Sequence, residues 1–271
     1  PSLTEFQAAT ITGLYDNVND SIWVKGDIPR LVFGTTKITK GIIDIKNDTN
    51  KLNYTVKVNP IESGTTQIPS VNISGNVSEN IVNYNVLLQD KNNKDQYNIG
   101  GFFEEVNQEN VIKILSENLL LNYEKWNIPS NNEIKIAKEN ISINAFELRN
   151  GENILAIQSQ SKEQNSPIEV QFSTFEIGTL TNMIQKENLS IHGKLNGNVL
   201  LKDVLKKPKF TSDLHINDFM FGKDTLGNIH LKVDNEIAQL YRVEVKIDGF
   251  DNDVQLLGNY KETDETLDLN L

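Results

Sequence analysis

The chain has no cysteine, so neither a disulfide framework nor a thiolate nucleophile is available to it. Only three histidines occur in 271 residues, which leaves few general bases that work near neutral pH. Two tryptophans are too few for the aromatic platforms of a glycan-cleaving cleft, which would also need paired carboxylates. There is no Gly-x-Ser-x-Gly, no Walker-type loop and no His-Glu-x-x-His, and Gly34-Thr-Thr-Lys lacks the spacing that wraps a phosphate in backbone amides. No stretch approaches the roughly 18 apolar residues of a membrane-crossing helix. Positive charge is short as well: 26 Lys and Arg stand against 37 Asp and Glu, a net charge of −11. That balance argues against nucleic acid as a partner, because Lys and Arg must replace its condensed counterions. It argues equally against docking on an anionic membrane surface. An enzyme is therefore not expected, nor is a cofactor.

What the chain has in abundance is alternation. From Leu189 to Val233, apolar and polar residues alternate in three runs, with glycines set among the apolar positions. Every second side chain of a strand lies on one face. Leu189, Ile191, Gly193, Leu195, Gly197, Val199 and Leu201 thus share a face. The same pattern recurs in Val71-Asn-Ile-Ser-Gly, Val82-Asn-Tyr-Asn-Val, Val243-Glu-Val-Lys-Ile and Leu267-Asp-Leu-Asn-Leu. Turn residues such as Asn150-Gly151, Lys223-Asp224 and Asp264-Glu265 fall every ~8–12 residues, as in all-β proteins. A mean hydropathy of −0.40 is lean for a compact globule but sufficient for a one-layer sheet.

These patterns predict an all-β fold: one elongated antiparallel sheet of successive hairpins with a greasy face, curled into an open groove, plus one or two short helices. We expect residues 1–271 to form a single segment, with a possible subdivision near 119–126. Three strand-like runs open it, Ile22 to Gly26, Gly41 to Lys46 and Leu52 to Asn59. Phe175 to Lys186 is the best helix candidate. Asn107 to Asn122 fits either a helix period or a buried strand.

Few side-chain constellations compete with this reading. His192, His215 and His230 each occupy a polar position between apolar neighbours, so on adjacent strands all three would project from the outer face. Imidazole suits zinc, but the sequence places no carboxylate clearly beside them, and solvated surface histidines are expected. Asp90 to Asp95 and Asp248 to Asp253 are acidic enough for calcium, yet they miss the loop spacing, and Asp and Asn are ordinary turn formers. Asn-x-Ser/Thr sequons, among them those at Asn47, Asn53, Asn72, Asn76, Asn140 and Asn188, receive no role. Gly75, Gly193, Gly197, Gly249 and Gly258 lie on the apolar face. They either relieve crowding at bends and bulges or hold that face open for an acyl chain.

The order of segments carries a resemblance. Trp126-Asn-Ile-Pro-Ser-Asn-Asn-Glu-Ile, Ile168-Glu-Val-Gln-Phe-Ser-Thr-Phe-Glu-Ile-Gly-Thr-Leu, Leu189-Ser-Ile-His-Gly-Lys-Leu-Asn-Gly-Asn-Val, Pro208, Leu214-His-Ile-Asn-Asp-Phe and Leu226-Gly-Asn-Ile-His-Leu resemble the TamB (translocation and assembly module) proteins of the wider AsmA-like group. The likeness covers Val71 to Leu271. It implies a gutter-shaped sheet lined with apolar residues, spanning the periplasm of a Gram-negative envelope. It implies phospholipid movement between inner and outer membranes, support of outer-membrane protein assembly, and an inner-membrane anchor in the full-length protein. It also implies contact with an Omp85-type outer-membrane barrel through parts not evident in this chain. The chain begins at Pro1 and reads as an interior segment.

Phospholipid acyl chains are therefore the expected partner. The expected groove lining is Leu195, Val199, Leu201, Leu214, Ile216, Ile229, Leu231, Val233, Val243, Val245, Ile247 and Leu256. The alternative is a cell-surface β-sandwich that binds glycan or protein, in which the same residues would close against a second sheet.

Overall fold

A computed structural model describes residues 2–48, 50–64, 66–181, 190–237 and 239–271. The chain divides into two compact units between Trp126 and Asn127. The first opens with β1 (Leu3–Phe6), β2 (Thr10–Asp16), β3 (Ser21–Phe33), β4 (Thr36–Asp48) and β5 (Lys51–Val58). The short β6 (Ile61–Ser63) and β7 (Thr66–Ile68) follow, then β8 (Ser70–Ser78), β9 (Ile81–Gln89), β10 (Asp95–Val106) and β11 (Glu109–Ile114). Two-residue strands β12 (Leu120–Leu121) and β13 (Glu124–Lys125) end the unit. Strands β3, β4, β5, β8, β9, β10 and β11 lie side by side in that order, each antiparallel to the next.

Two opening strands run longer than the sequence pattern suggests. β3 continues through Pro29 because β2 pairs with it only as far as Asp27 and β1 takes over at Leu31. The proline therefore falls in the gap between partners, where one side of the strand needs no N–H. The ambiguous segment after Asn107 is a strand. Asn107 (φ 53°) and Gln108 (φ 68°) make the two-residue left-handed turn that joins antiparallel strands. Ile112 and Ile114 then pair with Phe103 and Gly101.

The core of the first unit is written in cross-strand rows. One row reads Ile45, Tyr54, Gly75, Tyr84, Gly101 and Ile114 across consecutive strands. Each tyrosine lies over a glycine: a Cβ built on Gly75 would sit 2.7 Å from the Tyr54 hydroxyl, and one on Gly101 would collide with that of Tyr84. Aromatic rings thus fill the space the glycines leave, a known device for stabilising glycine in sheets. The next row but one is Val58, Val71, Leu88 and Tyr97.

Tyr97 is 2% exposed, and burial, with a smaller effect of Tyr123, pushes its phenol up to about 12. The folded state therefore favours the neutral phenol. Its contribution is complete below the unfolded pKa of about 10 and is lost as pH rises towards 12. We expect the urea-unfolding free energy to fall by roughly 2–3 kcal/mol more between pH 9 and pH 12 in the parent than in Tyr97→Phe, at about 1.4 kcal/mol per pKa unit. Equal pH slopes in the two proteins would refute a buried, neutral phenol at this position.

The second unit begins with a hairpin, β14 (Glu133–Ala137) and β15 (Asn140–Asn144). The strands β16 (Phe146–Asn150), β17 (Asn153–Ser159) and β18 (Ile168–Glu176) follow, then one helical turn, α1 (Gly178–Thr181). The remainder is β19 (Ile191–Lys202), β20 (Lys209–Phe221), β21 (Asp224–Asp234), β22 (Leu240–Gly249), β23 (Asn252–Lys261) and β24 (Thr266–Asn270). Strands β16 to β24 form a nine-stranded antiparallel sheet in strict sequence order, and its two end strands do not pair to close a barrel.

The protein is thus all-β, as expected, but its strands make two antiparallel sheets rather than one continuous sheet. The break follows β15, where Ala145 turns the chain with φ 50° and β16 takes β17 as its partner. The helix expected over Phe175 to Lys186 starts later than that, at Gly178. Phe175 belongs to β18, 1% exposed, opposite Leu195 and edge-on to Phe172 at 5.7 Å. Burying two phenyl rings in the sheet outweighs a short helical period. Among the described residues of that stretch, only Gly178–Thr181 is helical; residues 182–189, which include Leu189 and the Asn188 sequon, lie outside the described residues. Among the described residues, no helix is long and apolar enough to cross a membrane.

Asparagine side chains complete the sheet where its ladder breaks. Asn196 Oδ1 accepts the N–H of Thr174 at 2.8 Å, in the bulge of β18. Asn228 Oδ1 accepts that of Asp218, at the bulge of β20, and Asn235 Oδ1 accepts that of Phe210 at 2.6 Å. Backbone donors left by a bulge are costly unless paired.

Candidate functional site

The register of the nine-stranded sheet brings all twelve expected lining residues onto one face. Leu195, Ile216, Ile229, Ile247 and Val254 form one row across β19 to β23. The next row is Leu148, Leu155, Phe172, Gly197, Leu214, Leu231, Val245 and Leu256. A third is Phe146, Ile157, Val170, Val199, Ser212, Val233, Val243, Gly258 and Leu269. Leu201 lies in a fourth row, between Ile168 and Phe210. With neighbouring strands about 4.8 Å apart, each full row runs roughly 35–40 Å.

Sequence reasoning missed part of this face. Phe172 and Phe175 extend it at one end, and Phe210 and Tyr241, with ring centroids 6.5 Å apart, extend it along the fourth row. Phe210 was legible, since it continues the even-numbered alternation of Leu214 and Ile216. Phe175 was not, because the bulge at Thr174 (φ 44°) reverses which residues face inward.

Burial along the face is uneven. Phe175, Ile168 and Leu195 are 1%, 4% and 9% exposed, so this corner is packed. The other eleven expected lining residues are only half-buried. Val254, at the β23 end of its row, is 37% exposed. Side chains closed between two sheets would be fully buried. These eleven side chains keep part of their surface accessible.

Gly193, Gly197 and Gly258 leave no gaps in this face. A Cβ on Gly193 would sit 2.7 Å from Ile216 Cγ2, and one on Gly258 would sit 2.9 Å from Leu269 Cδ2. One on Gly197 would collide with the Asp213 carbonyl. Of the five face glycines, only Gly249 has open surroundings, with Gly227 Cα at 3.7 Å as its nearest neighbour. Close strand approach and cross-strand filling therefore explain four of the five, and the acyl-chain explanation is withdrawn for those.

The opposite face of the sheet is polar and carries the histidines. β19, β20 and β21 are neighbours, so His192, His215 and His230 do share a face. Only two of them meet. His215 and His230 are directly paired across β20 and β21, and their rings stack at 3.9 Å with an interplanar angle of 15°. His192 lies opposite Met220, beside Ser190 and 3.7 Å from Glu176. Asp213, two residues before His215 and therefore on the same face, completes the cluster. Its Oδ1 accepts from His230 Nε2 at 2.7 Å and lies 3.3 Å from His215 Nε2. The hydrogen bond from His230, then the Lys232 charge and the two rings, hold the Asp213 carboxyl below the usual carboxylate range, with burial opposing. The i, i+2 spacing of Asp213 and His215 is the signal that could have revealed it.

Both acidic stretches considered for calcium are hairpin ends. Asp90 Oδ1 accepts the N–H groups of Asn92 and Lys94 at 2.8 and 2.9 Å, and Tyr123 donates to its Oδ2 at 2.9 Å. Asp248 and Asp253 face each other across the turn made by Phe250 (φ 50°) and Asp251 (φ 63°). Comparison with family models, with curated proteins and with solved structures finds no match for this chain.

Proposed function

We propose that the apolar face of the nine-stranded sheet receives phospholipid acyl chains, and that this chain is a stretch of a lipid-conducting groove between two membranes of a cell envelope. The supporting observation is the register: twelve alternating apolar residues align in rows on one face, and eleven of them are half-buried. A contiguous apolar face of this extent is uncommon on a protein that has nothing to place against it. The sheet's curl into a groove belongs to this proposal, as do a periplasmic location and an inner-membrane anchor in the full-length protein. So does contact with an Omp85-type barrel through parts beyond this chain.

The energetics favour a passive conduit. A lipid tail in water exposes methylenes at about 0.8 kcal/mol each, so roughly 10 kcal/mol is at stake for one chain. A continuous apolar surface lowers that penalty with no bond making or breaking. In this reading the protein is not an enzyme, and the sheet's strand-by-strand repetition is the means of transport.

Photo-crosslinking in cells tests it. A photoreactive residue placed at Leu214, Leu231 or Val245 should yield phospholipid adducts, while the same residue at Lys246 or Gln255, on the polar face, should not. Protein adducts alone from the three inward positions would sink the conduit and favour a face that docks another polypeptide.

A further inference from the structure

On the polar face of the same sheet, we propose that Asp213, His215 and His230 bind a late first-row divalent metal ion, for which Zn2+ is the probe. The three side chains offer one ligand atom each, all within 4.8 Å of one another. Imidazole nitrogen and carboxylate oxygen are the ligand types such ions prefer. Bonds of about 2.0–2.1 Å in a tetrahedral site set neighbouring ligand atoms about 3.3 Å apart. Asp213 Oδ1 to His215 Nε2 is already 3.3 Å, and Asp213 Oδ1 to His230 Nε2, at 2.7 Å, has to open by about 0.6 Å. The near-parallel rings present both Nε2 atoms to the same carboxylate, and a shared ion requires them to tilt toward one another so that both in-plane lone pairs meet it.

The backbone holds this arrangement before any ion arrives. His215 and His230 are direct partners in the ladder, and Asp213 faces Lys232 in the next pair. Ligands fixed on strands lose little freedom on binding. An ion at His230 Nε2 takes the place of the proton donated to Asp213, and the neutral ring carries its N–H on Nδ1 instead. Three protein ligands leave the outward coordination position to water, since Asp213 and His215 are exposed.

Two cations on this face oppose the ion: Lys246, which stands opposite His230 on β22 and lies 3.9 Å from Asp248, and, nearer the carboxylate, Lys232. Lys232 Nζ lies 3.7 Å from Asp213 Oδ2, the oxygen that His230 does not use. It competes for the carboxylate and repels a dication, whereas Asn196 and Asn198, opposite His215 and Asp213 on β19, carry no charge. Removing Lys232 should therefore strengthen binding, which no purely structural role for the cluster predicts.

Titration of the chelator-washed chain with ZnCl2, followed by histidine NMR resonances and calorimetry, tests the assignment. The expected result is one Zn2+ per chain, with shifts at His215 and His230 and none at His192. Loss of a group one shell further out costs about 10–100-fold in metal affinity, so His215→Ala, His230→Ala and Asp213→Asn should each weaken binding at least about 10-fold. His192→Ala should leave it unchanged, and Lys232→Gln should tighten it. Absence of saturable binding, or shifts that follow His192 and Glu176 instead, would overturn the proposal.

Discussion

Gly197→Ala is expected to lower the free energy of unfolding by about 3–5 kcal/mol. Two penalties coincide there. Gly197 has φ 113°, a region L-residues rarely adopt, and holding alanine there costs roughly 1–3 kcal/mol. The new Cβ would also strike the Asp213 carbonyl and sit 3.0 Å from Leu214 Cα. Both are backbone of the paired strand, so no side chain can swing away, and overpacking adds another 1–3 kcal/mol or so. Gly151 supplies the control: its φ is 58°, but nothing lies within 4 Å of a Cβ there. Gly151→Ala should cost only about 1 kcal/mol. Urea unfolding of both variants separates the effects, and equal losses would show that close approach at Gly197 contributes nothing.

That contrast also shows why some of the fold was legible in the sequence and some was not. Alternation with period two is a property of each strand alone, so the apolar face of β19 to β23 could be read residue by residue. The pairing then aligned Leu195, Ile216, Ile229 and Ile247 in one row, because a slip of one residue would have turned each strand's apolar side chains to the other face. Features that depend on a neighbour were hidden. Phe175 follows a helical period locally and becomes strand only because Leu195 stands opposite it. The bulges at Thr174 and Asp218 exist because Asn196 and Asn228 satisfy their freed N–H groups from the next strand. Asp213 joins His230 only through the register of β20 on β21. The division between two sheets likewise rests on the partner choice of β16, which no local pattern encodes.

Leu231→Asp should separate the two ways an apolar face can serve a protein. Leu231 lies in the middle of the row that joins Leu214 to Val245, and it is half-buried. If the face is open, the carboxylate remains hydrated, and the loss of apolar contact costs about 1–2 kcal/mol. If a second layer seals the face, an unpaired charge must be buried, at several kcal/mol or more. Lipid passage responds in the opposite sense. Acyl chains moving along a row must pass each rung, so one charged rung placed against hydrocarbon raises the barrier for the whole path. At roughly 3 kcal/mol for a desolvated polar group, transfer should drop by about 100-fold. The decisive measurement pairs urea unfolding of Leu231→Asp with phospholipid crosslinking from Val245 in the same variant, against Gln255→Asp on the polar face. A conduit predicts a nearly intact fold with lost adducts. Collapse of stability beyond about 4 kcal/mol indicates a closed sandwich, and a stable variant with undiminished adducts indicates that lipid does not travel along this row.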